Sequence, residues 1–385
     1  MKIKAYIRKN GKIGIRNHIL ILPISICPST IALKINQLVN GTVAVYHQHV
    51  ICEVGEDQEQ TLRTLINFAV NPNVGGVLLI GLGNEGIFLD KLPQEIAKSG
   101  KPVELITIKQ CGGSIATVAR GVEIASSLVQ KVSQLQREDA ELSEIIIGLK
   151  CGGTDSTSGI AANPAVGIAS DRIIAEGGTS MMTETTEIIG AEHILAKKAV
   201  NKKVAQKLID IVRKMEMEAF NLKVDLRGVN PTPGNIESGI TTIEEKSLCA
   251  IYKGGEAPLE GVLDYACPPS GKGFYFMNGP GHDVDSLTGM LAGGAHLVLF
   301  TSGRGTPIGS AIAPIIKITG NSRTFDFMKD ITDINAGKII DQGISIKEMG
   351  EEIFKEIIEV CNGKLTKSEI LNHNEFGIYR IGPTF

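Results

Sequence analysis

Apolar runs of strand length recur through the first third of the chain, each followed by a stretch with helical spacing, and few folds satisfy that alternation. Buried strands joined by helices read as a parallel sheet with crossover connections. The strand-like runs are His18–Pro23, Thr42–His47, Gly76–Gly81, Val103–Thr107 and Ile145–Leu149. Between them Ser29–Leu38, Gln58–Ala69 and Asp90–Lys98 have helical spacing, the first with a start signal in Pro28-Ser29-Thr30. A βαβ reading places nearly every residue from 18 to 110. A long helix is expected from Ile115 to Glu141, its charged end being the best linker, so a boundary is placed near residue 140. The expected architecture is α/β: a Rossmann-like parallel-sheet domain over residues 1–140, then a larger, loop-rich α/β domain over 141–385.

The second part has a different texture. Gly- and Asn-rich loops (Cys151–Asn163, Asn230–Gly239, Gly271–Gly281, Thr301–Gly309) separate a few longer apolar elements such as Ala191–Asn221 and Ala295–Phe300. Loops dominating a smaller scaffold are expected there, and loops held by a scaffold are where chemistry concentrates. Composition agrees: 44 glycines make about 11% of the chain, beside 4% aromatics and no Trp, where ~7% glycine is usual. Such a chain has few aromatic anchors and many places where backbone must approach something closely.

Several functions are disfavoured. The balance of 39 Lys and Arg against 42 Asp and Glu, with no block of five like charges, leaves no basic footprint for nucleic acid. Seven widely spaced cysteines without a CxxC argue against a secreted disulfide framework. The basic start and the run Ile19–Leu22 end at Pro23 without a small-residue cleavage site, and no long apolar span follows, so a cytoplasmic protein off the membrane is expected.

Candidate chemistry lies in the polar loops. Cys111-Gly112-Gly113 and Cys151-Gly152-Gly153 each follow a strand-like run, and their backbone amides either face an anion or make a tight turn. The loop after Cys151 runs through Thr154, Asp155, Ser156, Thr157 and Ser158 to Asn163, too polar for core, and reads as a ligand loop. Glu184, Glu187, Glu192 and His193 suit either a divalent metal or the acidic first turn of a helix started by Thr183 or Thr186. The segment Asn230–Asn235 is stiffened by two prolines beside Thr241 and Thr242. Lys246 there offers its charge to a substrate carboxylate, or forms an exposed pair with Glu245. His282-Asp283 and Arg304 sit in Gly-wrapped loops, Arg304 being a carboxylate fork or a turn residue. His47, His49, Cys52 and Glu53 form the most metal-like local cluster. Neither GxGxxG nor a P-loop occurs.

Taken in order, these motifs resemble the altronate/galactarate dehydratase family. They run from Arg8, Arg16-Asn17 and Asn71-Pro72-Asn73 through Gly81–Glu85, Cys151–Gly159, Asn163-Pro164, Glu184–Glu187 and Gly190–His193. Asn230–Asn235, Thr241–Leu248, Thr301–Pro307 and His373–Phe376 complete the series, which spans almost the whole chain. The resemblance implies a cytoplasmic, oligomeric hydro-lyase that dehydrates a sugar acid, altronate first and galactarate second, with ferrous iron or another divalent metal. A sulfolactate sulfo-lyase large subunit belongs to the same family. The chain starts at the Arg16-Asn17 motif, where family members carry a preceding SAF-type domain, so a separate small SAF-type subunit is implied. Asn84 stands where a cysteine is often found. The roles implied are proton transfer by His49 or Glu184, with Lys246 and Asp283 also catalytic, and metal ligation by Cys52, Cys151, Glu184 and His193. Substrate contacts fall to Arg16, Asn17, Gly152, Gly153, Asp155, Ser158, Asn163, Asn235, Thr241, Thr242 and Arg304. A third reading is a carboxylate-binding or regulatory subunit without catalysis.

Overall fold

Short apolar runs become strands where both faces find cover, and the computed structural model, which describes residues 1–49 and 52–382, arranges them in three sheets. In chain order the strands are β1 Lys2–Ile7, β2 Ile13–Gly14, β3 His18–Pro23, β4 Thr42–Ala44, β5 Val74–Gly81, β6 Val103–Thr107 and β7 Glu138–Glu141. There follow β8 Ile146–Cys151, β9 Thr179–Thr183, β10 Leu259–Leu263, β11 Gly273–Met277, β12 Leu297–Thr301, β13 Ile315–Thr319 and β14 Ile334–Asn335. The first parallel sheet has the order β4-β3-β5-β6, and the second, of seven strands, runs β10-β11-β9-β8-β12-β13-β14, also parallel throughout. This is the expected α/β class.

Parallel strands are covered on both faces and so read as continuous apolar runs. On one face of the seven-stranded sheet Ile147, Leu149, Leu297, Leu299, Ile316 and Ile318 join a core with helices 163–175 and 346–361. On the other face Val298, Phe300 and Ile315 pack in a core shared with Leu20, Leu22, Leu79 and the helix Asp283–Ala292. Ile3, Ala5, Ile13 and Ile15 belong to the first of these cores, so the extreme N-terminus is packed against the second half of the chain.

Five expectations need correction. The helix after Ser114 ends at Val132 and not near residue 141; Glu138–Glu141 is instead a strand antiparallel to β1, Ala5 opposite Glu138 and Lys2 opposite Glu141. Only Ala140 is buried there, so the charged residues reach solvent from a strand as readily as from a helix. The run beginning at Thr42 leaves the sheet after Ala44, because the His47 N–H is drawn to Ser29 Oγ and the His49 N–H to His47 Nδ1. Residues 191–221 form two helices, Glu192–Lys197 and Lys202–Asn221, the second capped by Asn201. No helix begins at Thr183 or Thr186: Glu184 adopts a left-handed backbone (φ 80°), which stops regular structure between β9 and a single turn at Thr185–Glu187. The second half is also richer in scaffold than expected, since it holds the largest sheet. Among the described residues no helix is long and apolar enough to cross a membrane.

Candidate active site

The seven-stranded sheet changes winding direction at β8. The chain passes from β8 to β9 on one side, and later places β12 on the other. In open parallel sheets the crevice outside the carboxyl ends at such a point is where ligands bind. The loops converging there follow Cys151, Thr183, Met277 and Thr301.

At the end of β8, Lys150 is 1% exposed and extends from the strand toward these loops. Its ammonium contacts the Glu184 carboxylate, lies 2.7 Å from Asp283 Oδ1 and donates to the Cys151 carbonyl at 2.6 Å. Burial works against the charge, but Glu184, Asp283 and Glu187 hold Lys150 well above the ordinary lysine range, so it remains an ammonium. A second buried pair lies beside it, Lys253 Nζ at 2.6 Å from Glu187 Oε2. Burial opposes ionisation of Glu187, but Lys253, Lys150 and Lys246 hold its carboxyl below the usual range. Glu184 goes the other way: burial, Glu187 and Asp283 outweigh Lys150 and Lys246 and push its carboxyl up to about 7. Two neighbouring carboxyls with pKa values driven apart are the arrangement that acid–base chemistry near neutral pH uses.

Asp283 opens the helix Asp283–Ala292 and is partly exposed to the crevice. Gly152 faces it so closely that a Cβ there would lie 2.6 Å from Asp283 Oδ2. Lys246 is 8% exposed, donates to Asn230 Oδ1 at 2.8 Å and is near enough to act on both Glu184 and Glu187. Glu184, Lys246 and Asp283, three of the four residues expected to be catalytic, thus belong to one cluster. His49 does not join it: its Nε2 is 3.1 Å from the Ile378 carbonyl, and among the described residues no hydrogen bond or ion pair links it to Lys150, Glu184 or Asp283.

The residues expected to contact substrate divide in two. Gly152, Gly153 and Arg304 sit on the loops after β8 and β12, Gly152 against Asp283 and Gly153 beside Arg304, but the Gly152 N–H is already used by the Thr301 carbonyl at 3.0 Å and so does not face an anion. Arg304 is exposed, with its guanidinium against the backbone of Gly234. The others build the walls. Asp155 accepts from Ser158 N (2.9 Å), Ser158 Oγ (3.0 Å) and Thr157 Oγ1 (2.7 Å), closing its own loop. Asn163 ties Cys249 O at 2.8 Å to Thr301 Oγ1 at 2.7 Å, and Asn235 donates to Thr154 O at 2.8 Å. Thr242 caps the helix Ile243–Ile251, while Thr241 bonds the Glu245 carboxylate, and both are exposed.

Arg16 and Asn17 lie away from this crevice's charged cluster and are engaged within the protein. All five Arg16 N–H groups are spent on Glu369, Ile15 O, Val360 O and Lys364 O. The Asn17 amide bridges Arg8 and Val132 O. The motif is a clamp between distant segments, with every Arg16 guanidinium N–H engaged inside the protein.

The four residues expected to ligate a metal are not brought together. Among the described residues no three His, Cys, Asp or Glu side chains are placed to hold one ion. Cys52 and His193 are exposed at separate places, and Glu184 is engaged by Lys150. Burial and Glu187 push the Cys151 thiol up, and its Sγ lies 3.1 Å from Thr154 Oγ1. The four proposed ligands do not form a set, and no step below passes through iron.

The charged cluster at the switch point of a parallel α/β sheet has the makings of an acid–base site, and sequence comparison places the chain. Residues 5–133 match the profile of the D-galactarate dehydratase/altronate hydrolase second domain, and residues 142–384 that of the D-galactarate/altronate dehydratase C-terminal domain. The chain is 36% identical to the (2R)-sulfolactate sulfo-lyase subunit beta of Chromohalobacter salexigens over 98% of its length and 96% of that protein. It is 34% identical to the altronate dehydratase of Bacillus subtilis, covering 99% of this chain and 78% of the relative. The galactarate dehydratase (L-threo-forming) of Escherichia coli is 34% identical over 84% of this chain and 63% of the relative. The chain belongs to the galactarate/altronate dehydratase family, whose members named here are dehydratases or lyases.

Proposed function

We propose that this chain is the large, catalytic subunit of a cytoplasmic hydro-lyase that converts a sugar acid, altronate foremost, to the 2-keto-3-deoxy acid. The observation that carries the reading is the buried Lys150–Glu184–Asp283 constellation at the sheet's switch point. Dehydration of a 2,3-dihydroxy acid removes the proton at C2 and expels hydroxide from C3, leaving an enol that tautomerises to the keto acid. Glu184, with a carboxyl near neutrality, takes the C2 proton. Lys150 stabilises charge developing beside it, and Asp283, at the exposed end of the cluster, orients the departing hydroxyl. Iron enters only as the family's expectation, tested by metal analysis of protein purified without oxygen.

The test is formation of 2-keto-3-deoxy acid from altronate and from galactarate, by the chain alone and with a co-expressed small SAF-type subunit. Glu184→Gln should abolish product. If neither acid yields product under any of these conditions, the reading fails.

A second reading, sulfite release from sulfolactate, is favoured by one observation. The chain is 36% identical to a sulfolactate sulfo-lyase subunit. The same elimination then expels sulfite from C3, and sulfite detection separates the two. The relative's designation as a subunit also supports a separate partner and an oligomeric enzyme.

A further inference from the structure

An active site for an acid needs a cation that the protein has not already neutralised. Around the crevice the other buried lysines have partners: Lys150 is paired with Glu184 and Asp283 and Lys253 with Glu187, while Lys246 keeps its charge but donates to the neutral Asn230 amide oxygen. Arg304 lies out against Gly234. Lys317 is different. It is 3% exposed, yet its Nζ has no hydrogen-bond partner and no acid within ion-pair distance among the described residues. Asp333 spends its carboxylate on the Lys317 and Lys367 backbone N–H groups, at 2.8 and 3.1 Å. A buried ammonium left in that condition is costly unless an anion completes it.

Its position ties it to the crevice. Lys317 of β13 is in register with Phe300 of β12, and Phe300 with Lys150 of β8, so all three side chains leave the same face of the sheet at the same depth. Phe300 is the spacer, its ring 5.8 Å from Lys150 Nζ. Two residues beyond Phe300, on that face, Ser302 has a buried Oγ that also lacks a partner. The Ser302 N–H bonds Ile318 O at 2.9 Å, fixing it beside β13, and a Cβ on Gly153 would meet its Oγ at 3.1 Å. Among the described residues, an unpartnered hydroxyl beside Gly153 and an unpartnered ammonium on the adjoining strand thus belong to the same face of the sheet.

We propose that Lys317 and Ser302 form the subsite that binds the carboxylate of the substrate, the role sequence reasoning gives to Lys246 and Arg304. The proposal rests on the lyase reading for its substrate but not for its binding test. Burial draws Lys317 down to about 8 against the pull of Asp333, Glu375 and Asp330, a state in which a bound carboxylate would secure the proton.

The test uses the full chain, with its small subunit if activity needs one. Malonate, which has two carboxylates and no hydroxyl to lose, is the binding probe, followed by thermal shift and calorimetry. Lys317→Met should weaken malonate binding and raise KM on the order of 100-fold, the usual consequence of removing one partner of a buried charge pair, with a much smaller change in kcat. Lys317→Arg should recover part of the binding, and Ser302→Ala should raise KM by about tenfold. Tm of Lys317→Met should hold or rise, since an unpaired buried charge is removed, whereas a purely structural lysine would lower it. Malonate affinity of the wild type should fall as pH rises through about 8, because only the ammonium binds. Malonate binding and KM within twofold of wild type in folded Lys317→Met overturn the proposal, even if Glu184→Gln is inactive. Lost malonate binding in Lys317→Met supports it, even if no acid tested is turned over by the wild type; in that case only the lyase reading falls.

Discussion

The close approach of Gly152 to Asp283 gives a sharp test of the site. Gly152 has no left-handed backbone, so alanine meets no conformational obstacle there; the obstacle is the Asp283 carboxylate, whose three atoms would lie 2.6 to 2.9 Å from the new Cβ. Restoring the nearest contact from 2.6 Å to the 3.4 Å of ordinary packing moves Asp283 Oδ2 by about 0.8 Å. That carboxylate is 2.7 Å from Lys150 through Oδ1, so the shift also disturbs the ammonium that stands against Glu184. Displacements near 1 Å in a reacting constellation cost on the order of 100-fold in rate, while one added methyl costs about 1–3 kcal/mol of stability. Gly152→Ala should therefore fold, lose a few degrees of Tm, and lose about 100-fold in kcat for keto-acid or sulfite formation. Gly228→Ala is the control, since Gly228 has open space around its Cβ position and no positive φ. Wild-type kcat in Gly152→Ala would show that Asp283 and Lys150 are not part of the reacting constellation.

Other expectations follow from the same geometry. Because Glu184 must lose its proton to act as base, kcat/KM should fall as pH drops through about 7, with burial first and then Glu187, Lys150, Lys246 and Asp283 setting that value, and the limb should vanish in Glu184→Gln. The folded chain holds that proton up to about pH 7, whereas the unfolded chain releases it near its ordinary 4.5, so stability should decline as pH rises between these values. Thermal melts across that range should show Glu184→Gln with a shallower decline. Lys253→Met leaves the Glu187 carboxylate buried without its ammonium and should cost about 3–5 kcal/mol in urea unfolding, with Lys253→Met/Glu187→Leu recovering most of it. Arg16→Met should destabilise by about 3 kcal/mol through its lost charged hydrogen bonds, yet leave KM of the folded enzyme within twofold.

The α/β class could be read from the sequence because parallel strands advertise themselves as apolar runs: Val103–Thr107 and the helix Ser29–Leu38 fall where periodicity puts them. Boundaries failed where one tertiary contact decides. The helix after Ser114 stops at Val132 because residues 138–141 are recruited by a strand from the other end of the chain, which no local pattern announces. Glu184 and Asp283 were legible as acids in polar Gly-rich loops. The Arg16-Asn17 motif misled for a related reason: an arginine that staples Glu369 and two carbonyls of the C-terminal region looks, in sequence, like one that grips a ligand.

The residues missed altogether carry the most instructive signal. Lys150 and Lys317 each interrupt an otherwise apolar strand, Ile-Ile-Gly-Leu-Lys-Cys and Ile-Ile-Lys-Ile-Thr. A strand covered on both faces has no solvent for an ammonium, so such a lysine must find an anion inside the fold or receive one from outside. Lys150 takes the first course through Glu184 and Asp283. Lys317 has no such partner among the described residues, and the difference was invisible before folding because it depends on which loops return to which strand end. The polar loops attracted attention in the sequence, but the charges that organise the site rise from the strands beneath them. A lysine one or two residues before the carboxyl end of a buried parallel strand is thus a stronger pointer to an anion site than the glycines that follow it.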